Sequence, residues 1–511
     1  MAAFKQLNKA AHEHIALEIP TAGGSYTLKL VKVDVTLPGV KVRTSSMGDL
    51  DLDMGLHYRG VMEGQPNSLV AISVFENEMM GFFSPEGVNG NFILGKLGGD
   101  NAEGEHIVYN EVDLNEPKGF GCYTESDGNG YKAEDLLPTP PSKALSDCVR
   151  IYVEVNLNTY QNQGSSVTNT TNYITGLFNQ SITLFANESI NMVVSDIFIW
   201  TSTSPYTGSA SNMRTQFQAQ ISSMNGDLGH LISYIPSSAG GIAAGFAGIC
   251  NSNIDQSLCV TQTTTAYNTV PTYSRSVKVV THEMGHLFGS RHTHACVWNG
   301  NNTAIDGCAL ATEGSCAVPS IPAGFEGTIM SYCDSRGTAP INFNLGFGPQ
   351  PGNVIRNSVT NGSCLQPCSG GGGCTSTVAS FPYTNTFESN LGWTNAGGDD
   401  FDWTRRSGGT PSSGTGPTAA AQGTWYAYME VSSPNYPSKT AILNSPCFNL
   451  SSVNSPTITF QYHMLGTGPG TLRLEASTDG TNWTQVWSQT GSQGSAWLPA
   501  SVSLNTYTSQ T

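Results

Sequence analysis

The segment THEMGHLFGSRH, residues 281–292, constrains the fold of this chain more than any other stretch. His282 and His286 are four residues apart, so an α-helix places both imidazoles on one face, one turn apart. Gly289 marks the end of that helix, because glycine tolerates the left-handed backbone that reverses the chain. The reversal brings His292 back toward the first two histidines. The spacing therefore predicts three imidazoles around one metal ion, and zinc suits them best.

Glu283 follows the first histidine directly, which places its carboxylate beside the predicted ion rather than on it. Three neutral imidazoles leave a fourth coordination position for water, whose pKa zinc lowers toward about 7. Glu283 can take the proton from that water and return it to the leaving amine. The pattern therefore predicts hydrolysis with Glu283 as general base. The competing interpretation is a histidine-rich surface helix that binds no metal.

A second segment, GTIMSYC, holds Met330, which lies 38 residues after His292. The extended zinc signature followed by a methionine turn resembles the metzincin metallopeptidases. The resemblance implies an α/β catalytic domain with a mixed, mostly parallel sheet and an active-site helix, with Met330 packed beneath the histidines. Residues 56–83 are similar to the propeptide of the reprolysin or adamalysin (ADAM-like) branch. The order of strands and helices before the zinc helix is also similar to that branch.

Two positions depart from the adamalysin pattern. Thr293 stands where adamalysins carry Asp, and Tyr332 follows the methionine in a way that resembles astacins and serralysins. The Tyr332 phenol is a second candidate catalytic group, which could ligate zinc at rest and then hydrogen-bond the developing oxyanion. The alternative is that Tyr332 only packs in the methionine turn. We interpret His294 as a structural or supporting residue, because a fourth imidazole would close the open metal position.

The stretch GGIAAGFAG, residues 240–248, is thin and rich in glycine, as expected of an edge strand. An edge strand can pair with the extended backbone of a peptide. This favours a peptidase over the alternative of a metal-dependent hydrolase that acts on a non-peptide substrate. The residues predicted to bind the substrate backbone are Gly241, Ile242, Ala243, Ala244 and Gly245.

The chain has twelve cysteines, a density that predicts disulfides and an oxidising compartment. Cys122 stands alone in the first 147 residues, within GFGCYTE. A thiolate is a good zinc ligand and would displace the catalytic water. The setting is similar to the cysteine switch of ADAM propeptides and predicts a latent precursor. The linker PTPPSK, residues 138–143, offers a cutting point. The alternative is that Cys122 forms a disulfide with another cysteine.

The C-terminal region resembles a MAM domain, on the blocks TFESNLGW, DDFDWTRRSGGTPSSGTGP, YAYMEVSS, LNSPCFNL and ITFQYHM. The resemblance implies a β-sandwich that recognises a protein or surface ligand, often with a bound cation. Clustered carboxylates suit Ca²⁺, and the alternative is a solvated acidic face. The acidic residues in the matched blocks are Glu388, Asp400, Asp402 and Glu430.

Together these features predict four regions. Residues 1–140 form a β-rich propeptide or inhibitory domain, and residues 147–367 the metzincin catalytic domain. A glycine-rich hinge covers residues 368–375, and an all-β, MAM-like sandwich covers residues 376–511, which could be truncated.

The predicted function is that of a secreted zinc endopeptidase made as a latent precursor, acting on protein or peptide substrates. The N-terminus lacks a hydrophobic leader, so we expect a signal peptide to have been removed. No apolar run is long enough to span a membrane, and the net charge of −16 disfavours nucleic acid as a partner. The alternative is an adhesion protein with an inert protease-like domain. The intact Glu283 and histidines disfavour it.

Overall fold

The computed structural model describes most of the chain, and it divides the chain into two compact units, residues 1–368 and 369–511. The described residues are 12–21, 24–97, 105–114, 121–138, 147–236, 240–264, 274–368, 377–378, 380–396, 399–431, 435, 438–450, 453–477 and 483–507. Most of the predicted linker at 138–143 and of the predicted hinge at 368–375 lies outside these residues.

The N-terminal part of the first unit is a seven-stranded antiparallel sheet, in the order β1-β2-β5-β6-β7-β8-β9. Strand β7 and the C-terminal half of β6 are buried almost throughout, whereas the outer strands β1 and β9 are largely half-buried or exposed. The strands of this part are β1 His14–Thr21, β2 Gly24–Val33, β3 Val42–Thr44, β4 Gly48–Leu50, β5 Leu56–Met62, β6 Gln65–Val74, β7 Met79–Ser84, β8 Phe92–Lys96 and β9 His106–Asn110.

A second sheet follows, in the order β10-β14-β15-β13-β11-β12-β3-β4, with β16 paired to β11. Its central strands pair in parallel, while β14 runs antiparallel to β15. The added strands are β10 Gly121–Cys122, β11 Asp147–Val155, β12 Met192–Ile199, β13 Leu228–Tyr234, β14 Gly240–Ala243, β15 Leu258–Thr263 and β16 Gln366–Pro367. The mixed sheet with helices predicted for this region is confirmed.

The described residues form five α-helices in this region: α1 Leu157–Asn162, α2 Val167–Asn187, α3 Ala210–Gln220, α4 Ser274–Leu287 and α5 Pro349–Asn361. Helix α2 begins where the Ser166 side chain accepts a hydrogen bond from the Asn169 N–H, and it is buried along nearly its whole length. Short 3₁₀ turns lie at Glu111–Asp113, Ala133–Leu136, Ile254–Ser257, Phe343–Leu345 and Asn505–Tyr507.

The N-terminal sheet and the helical region share one hydrophobic core. Helix α2 contacts the N-terminal sheet so closely that a Cβ on Gly176 would lie 2.4 Å from the Met80 sulfur. The β3–β4 hairpin leaves its own region and extends the second sheet beyond β12, where Arg43 forms a 2.7 Å ion pair with Asp196. The sequence did not predict this exchange, because a three-residue strand carries too little periodicity to assign a partner.

The second unit is β-rich, as predicted, and consists of paired short strands. Aromatic rings fill part of its interior, and the Trp487 ring lies 5.0 Å from those of Phe460 and Tyr462. The strands are β17 Thr377–Val378, β18 Thr394–Asn395, β19 Thr404–Ser407, β20 Trp425–Tyr428, β21 Leu443–Asn444, β22 Cys447–Phe448, β23 Thr457–Tyr462, β24 Thr471–Ala476, β25 Thr484–Thr490 and β26 Leu498–Ser503.

Disulfides are present, as the cysteine density predicts. They join Cys250 to Cys364, Cys296 to Cys316, and Cys308 to Cys333, and Cys447 is also disulfide-bonded. Among the described residues, no helix combines the length and the apolar character needed to cross a bilayer.

Candidate metal centre

Helix α4 carries the first two histidines of the zinc signature on one buried face. The helix ends after Leu287, and Gly289 has a φ of +101°, the left-handed region that favours glycine. The turn brings His292 to the helix, so that the Nε2 atoms of His286 and His292 are 3.1 Å apart. The imidazole ring of His282 lies 4.7 Å from that of His286 and 5.1 Å from that of His292.

Hydrogen bonds at Nδ1 fix the protonation of all three imidazoles. His282 Nδ1 lies 2.8 Å from the Ile329 carbonyl oxygen, and His286 Nδ1 lies 2.7 Å from that of Ser290. His292 Nδ1 lies 2.6 Å from the Glu313 carboxylate oxygen Oε1. Carbonyl and carboxylate oxygens accept hydrogen bonds, so each Nδ1 carries the proton and each Nε2 presents a lone pair. Lone pairs this close repel one another unless a cation lies between them, so this donor set fits a zinc ion.

Burial keeps the histidines neutral, as metal ligation requires. None is more than 1% exposed, and burial lowers the pKa of each imidazole below its usual value. In His282 and His286 the neighbouring imidazoles lower the pKa further, because two adjacent imidazolium ions repel each other.

Glu283 lies on the same helix and is fully buried. Burial raises the pKa of its carboxyl to about 8. Gly241 of β14 lies directly against this side chain, since a Cβ there would be 2.4 Å from Glu283 Cγ and 2.5 Å from Oε1. Only glycine leaves room for the carboxylate at this point of the strand.

Met330 and Tyr332 lie close to the histidines. Met330 is buried, and its sulfur would be 2.8 Å from a Cβ on Gly285, the residue before His286, so Gly285 is required for this contact. The Tyr332 hydroxyl lies 3.3 Å from His292 Nε2. The sequence gives no hint of this role for Gly285, because a helix-internal glycine carries no local signal of the side chain it accommodates.

Comparison with known families decides the identity of both regions. Residues 146–342 match the family described as "Metallo-peptidase family M12", and residues 385–511 match the family "MAM domain, meprin/A5/mu". The chain carries a family M12 metallo-peptidase domain and a MAM domain. The resemblance to metzincins with a C-terminal MAM domain is therefore confirmed.

Curated relatives match over short stretches. MAM domain-containing glycosylphosphatidylinositol anchor protein 1 of Rattus norvegicus is 36% identical over 116 residues, which cover 21% of this chain and 12% of that protein. MAM domain-containing protein 2 of Homo sapiens is 33% identical over 103 residues, which cover 20% of this chain and 15% of that protein. The chain thus spans only a small part of the length of these relatives.

In the metallo-peptidase domain, β14 pairs with β10 of the N-terminal region. The pairing is parallel and places Cys122 opposite Gly241. Cys122 has a free thiol, and its Sγ lies 3.4 Å from His286 Nε2 and 3.7 Å from Glu283 Oε2. Ligand atoms of Cys122 and the three zinc-signature histidines all lie within 4.8 Å of one another.

The predicted substrate strand is shorter than the sequence suggested. Strand β14 contains Gly241, Ile242 and Ala243, whereas Ala244 and Gly245 follow its end. Thr124 crosses this strand: its Oγ1 accepts a 2.8 Å hydrogen bond from the Ala243 N–H and donates one of 3.2 Å to Glu283 Oε2.

Glu313 is a supporting residue that the sequence analysis missed. Its Oε1 lies 2.6 Å from His292 Nδ1 and 3.2 Å from His294 Nε2, so a carboxylate orients the third histidine and His294 supports that carboxylate. Burial alone would raise the pKa of Glu313, but hydrogen bonds from the two imidazoles hold it below its usual range. The Cys296–Cys316 disulfide encloses the segment that carries Glu313.

The acidic residues of the MAM domain are engaged separately. Glu388 Oε1 accepts hydrogen bonds from the N–H groups of Thr424 and Trp425, and Asp400 pairs with Lys439 at 2.8 Å. Glu430 accepts a hydrogen bond from the Tyr428 hydroxyl, and Asp402 is exposed. Over the described residues, these four do not form a group of convergent metal ligands. Calcium binding stays a prediction without structural support.

Proposed function

We propose that this chain is a zinc-dependent endopeptidase whose metal is held by His282, His286 and His292. The observation that carries the proposal is the convergence of three Nε2 lone pairs beside the buried carboxylate of Glu283. Zinc bound there would supply a Lewis acid for the scissile carbonyl and for the attacking water.

Residues of the chain itself transfer the proton, align the substrate and stabilise the oxyanion. Glu283 accepts the proton of the attacking water and delivers it to the leaving amine. Strand β14 aligns the substrate backbone next to Glu283. Tyr332 is the candidate donor of a hydrogen bond to the developing oxyanion.

We further propose that the full chain is a latent precursor. Strand β10 occupies the free side of β14, where a substrate backbone would pair, and the Cys122 thiol lies beside the three histidines, where it would be a fourth ligand of a bound zinc. Thr124 at the same time takes a hydrogen-bond position on the general base. Both the substrate strand and a bound metal would therefore be covered until the N-terminal region is released.

Secretion and recognition by the MAM domain complete the proposal. Disulfides are typical of extracellular compartments, and at least three stabilise the metallo-peptidase region. The match of residues 385–511 to the MAM family agrees with the recognition role that the sequence resemblance implies. A second candidate function, adhesion with an inert protease domain, rests on the MAM family match alone, since the metal-binding histidines and Glu283 are all in place.

The deciding experiment compares the processed wild type with Glu283→Gln. The amide cannot accept the proton from water, so we expect peptide hydrolysis to fall by several orders of magnitude while zinc stays at about one per chain. Chelation should inactivate the wild type, and added zinc should restore it. Substantial hydrolysis by zinc-loaded Glu283→Gln would refute the mechanism, and an inactive processed wild type would favour the adhesion function.

Latency is tested on the uncut precursor with Cys122→Ser. Loss of the thiolate ligand should raise activity clearly above that of the uncut wild type. Thr124→Val is the matched variant, because it keeps the thiol and removes the hydrogen bonds of the Thr124 hydroxyl to Glu283 and from the Ala243 N–H. Equal latency of Cys122→Ser together with a disulfide mapped to Cys122 would exclude the cysteine switch.

A further inference from the structure

Residues 121–138, here called the covering segment, continue from β10 across the metallo-peptidase domain. Five residues beyond Cys122, Asp127 forms an ion pair with Arg291, the residue directly before the ligand His292. The guanidinium binds both carboxylate oxygens: Nη2 donates to Oδ1 at 2.7 Å and to Oδ2 at 2.8 Å, and Nε donates to Oδ1 at 3.2 Å. The bidentate geometry is the strongest form of this contact.

Arg291 lies between two aromatic rings. Its guanidinium carbon is 4.7 Å from the ring centre of Phe246 and 4.8 Å from that of Tyr131. The side chain is only 7% exposed, so the cation is largely removed from water. Tyr131 also belongs to the covering segment, and its hydroxyl accepts a 2.9 Å hydrogen bond from the Arg291 N–H.

Release of the N-terminal region would remove two of the contacts of Arg291. Asp127 and Tyr131 leave with the covering segment, whereas Arg291 and Phe246 belong to the metallo-peptidase domain. Arg291 cannot move far, because the next residue is a metal ligand and its own backbone follows the turn at Gly289. The processed enzyme therefore keeps a cation against an aromatic ring beside the metal centre, without the anion that neutralised it.

A guanidinium in such a place favours a carboxylate, because an arginine held over an aromatic ring presents a rigid, planar fork of donors. Asp127 shows that a peptide that follows the path of the covering segment can reach the guanidinium with an acidic side chain. We propose that Arg291 is a specificity-determining residue that binds an Asp or Glu side chain of the substrate near the scissile bond. This inference rests on the proposed endopeptidase function.

The first test uses the processed enzyme and a peptide library derived from a proteome. We expect Asp and Glu to be enriched at one fixed position of the cleaved sequences. At that position a peptide with Asp should have at least a tenfold higher kcat/KM than its Asn counterpart. An active enzyme without an acidic preference would overturn the inference, whereas cleavage of no peptide at all would refute the proposed function instead.

The second test assigns the preference to the side chain. Arg291→Gln should bring the Asp-to-Asn ratio of kcat/KM close to one, and Arg291→Lys should give an intermediate ratio, because lysine keeps the charge without the fork. Arg336→Gln is the control, since Arg336 is exposed in the same domain and the variant loses the same charge. An unchanged ratio in zinc-loaded Arg291→Gln would overturn the assignment.

A third measurement does not depend on turnover or on the folding of one variant. A synthetic peptide of residues 121–138 should bind the processed wild type more tightly than its Asp127→Asn counterpart, and the difference should vanish in Arg291→Gln. Equal binding of both peptides to the wild type would show that Arg291 does not select a carboxylate in this cleft.

Discussion

Replacing Gly241 by alanine perturbs the general base without touching a metal ligand. The added Cβ would lie 2.4 Å from Glu283 Cγ, 2.5 Å from Oε1 and 2.7 Å from Cδ. Carbon atoms in contact are normally about 3.5 to 4.0 Å apart, so the strand and the carboxylate must separate by roughly 1 Å. Backbone pairing holds Gly241 to Thr261 of β15, so we expect much of the shift to fall on Glu283.

The size of the effect follows from this displacement. A 1 Å misplacement of a catalytic group costs about 10²-fold in rate, which corresponds to about 2.7 kcal/mol of transition-state stabilisation. Overpacking at a buried position also lowers the free energy of unfolding by about 1–3 kcal/mol. We therefore expect Gly241→Ala to be folded, to hold zinc, and to hydrolyse peptides about 100-fold more slowly than the wild type.

The assay compares kcat/KM, zinc content and thermal unfolding of the processed enzymes. Gly468→Ala, in the second unit, is the control, because the same substitution meets no atom within 4 Å there. Full activity of folded, zinc-loaded Gly241→Ala would refute the argument that the carboxylate depends on a bare backbone at this position.

Four further predictions follow. Glu313→Gln weakens the orientation of His292 and should lower zinc affinity about 10–100-fold, measured by competition with a chelator. Tyr332→Phe should lower kcat much more than it raises KM if the phenol stabilises the oxyanion, whereas an unchanged kcat would leave only a packing role. A chain ending at Cys368, the last residue of the first unit, should still cleave a short peptide after processing, and failure to bind zinc would show that the second unit is needed for folding. Burial lowers the pKa of His57 to about 4 from the usual 6.5, so between these pH values the unfolded chain binds more protons than the folded chain. Acidification from pH 6.5 to 4 should therefore lower the free energy of unfolding by about 3 kcal/mol through this residue. In His57→Gln, thermal unfolding should show a smaller loss of stability over the same pH range.

The sequence predicted the metal centre because its geometry is nearly all local. Two ligands are related by the period of one helix, and the third follows within ten residues after a glycine turn, so short-range stereochemistry brings them together. The β-rich N-terminal region and the helical mixed sheet were also predictable, because the period of apolar residues changes from two to about 3.6 between them.

The tertiary structure decided what depends on distant residues. Glu313 supports His292 across a disulfide-linked loop, and no pattern in the sequence distinguishes it from a solvated acid. Gly241 was predicted as part of a substrate strand, but its need to be glycine arises from the Glu283 side chain of a separate helix. The insertion of β3 and β4 into the second sheet likewise depends on pairing between strands some 150 residues apart.

In the covering segment, too, one contact was predictable from the sequence and another depended on the tertiary structure. The sequence predicted that Cys122 could meet the metal, since a thiol has recognisable chemistry by itself. Asp127 and Arg291 carry no such signal, because a charged residue in a sequence is usually solvated and its partner is 164 residues away. Spacing along the chain determined which residues come together at the candidate metal centre, whereas packing of separate elements determined which residues of the N-terminal region lie against it.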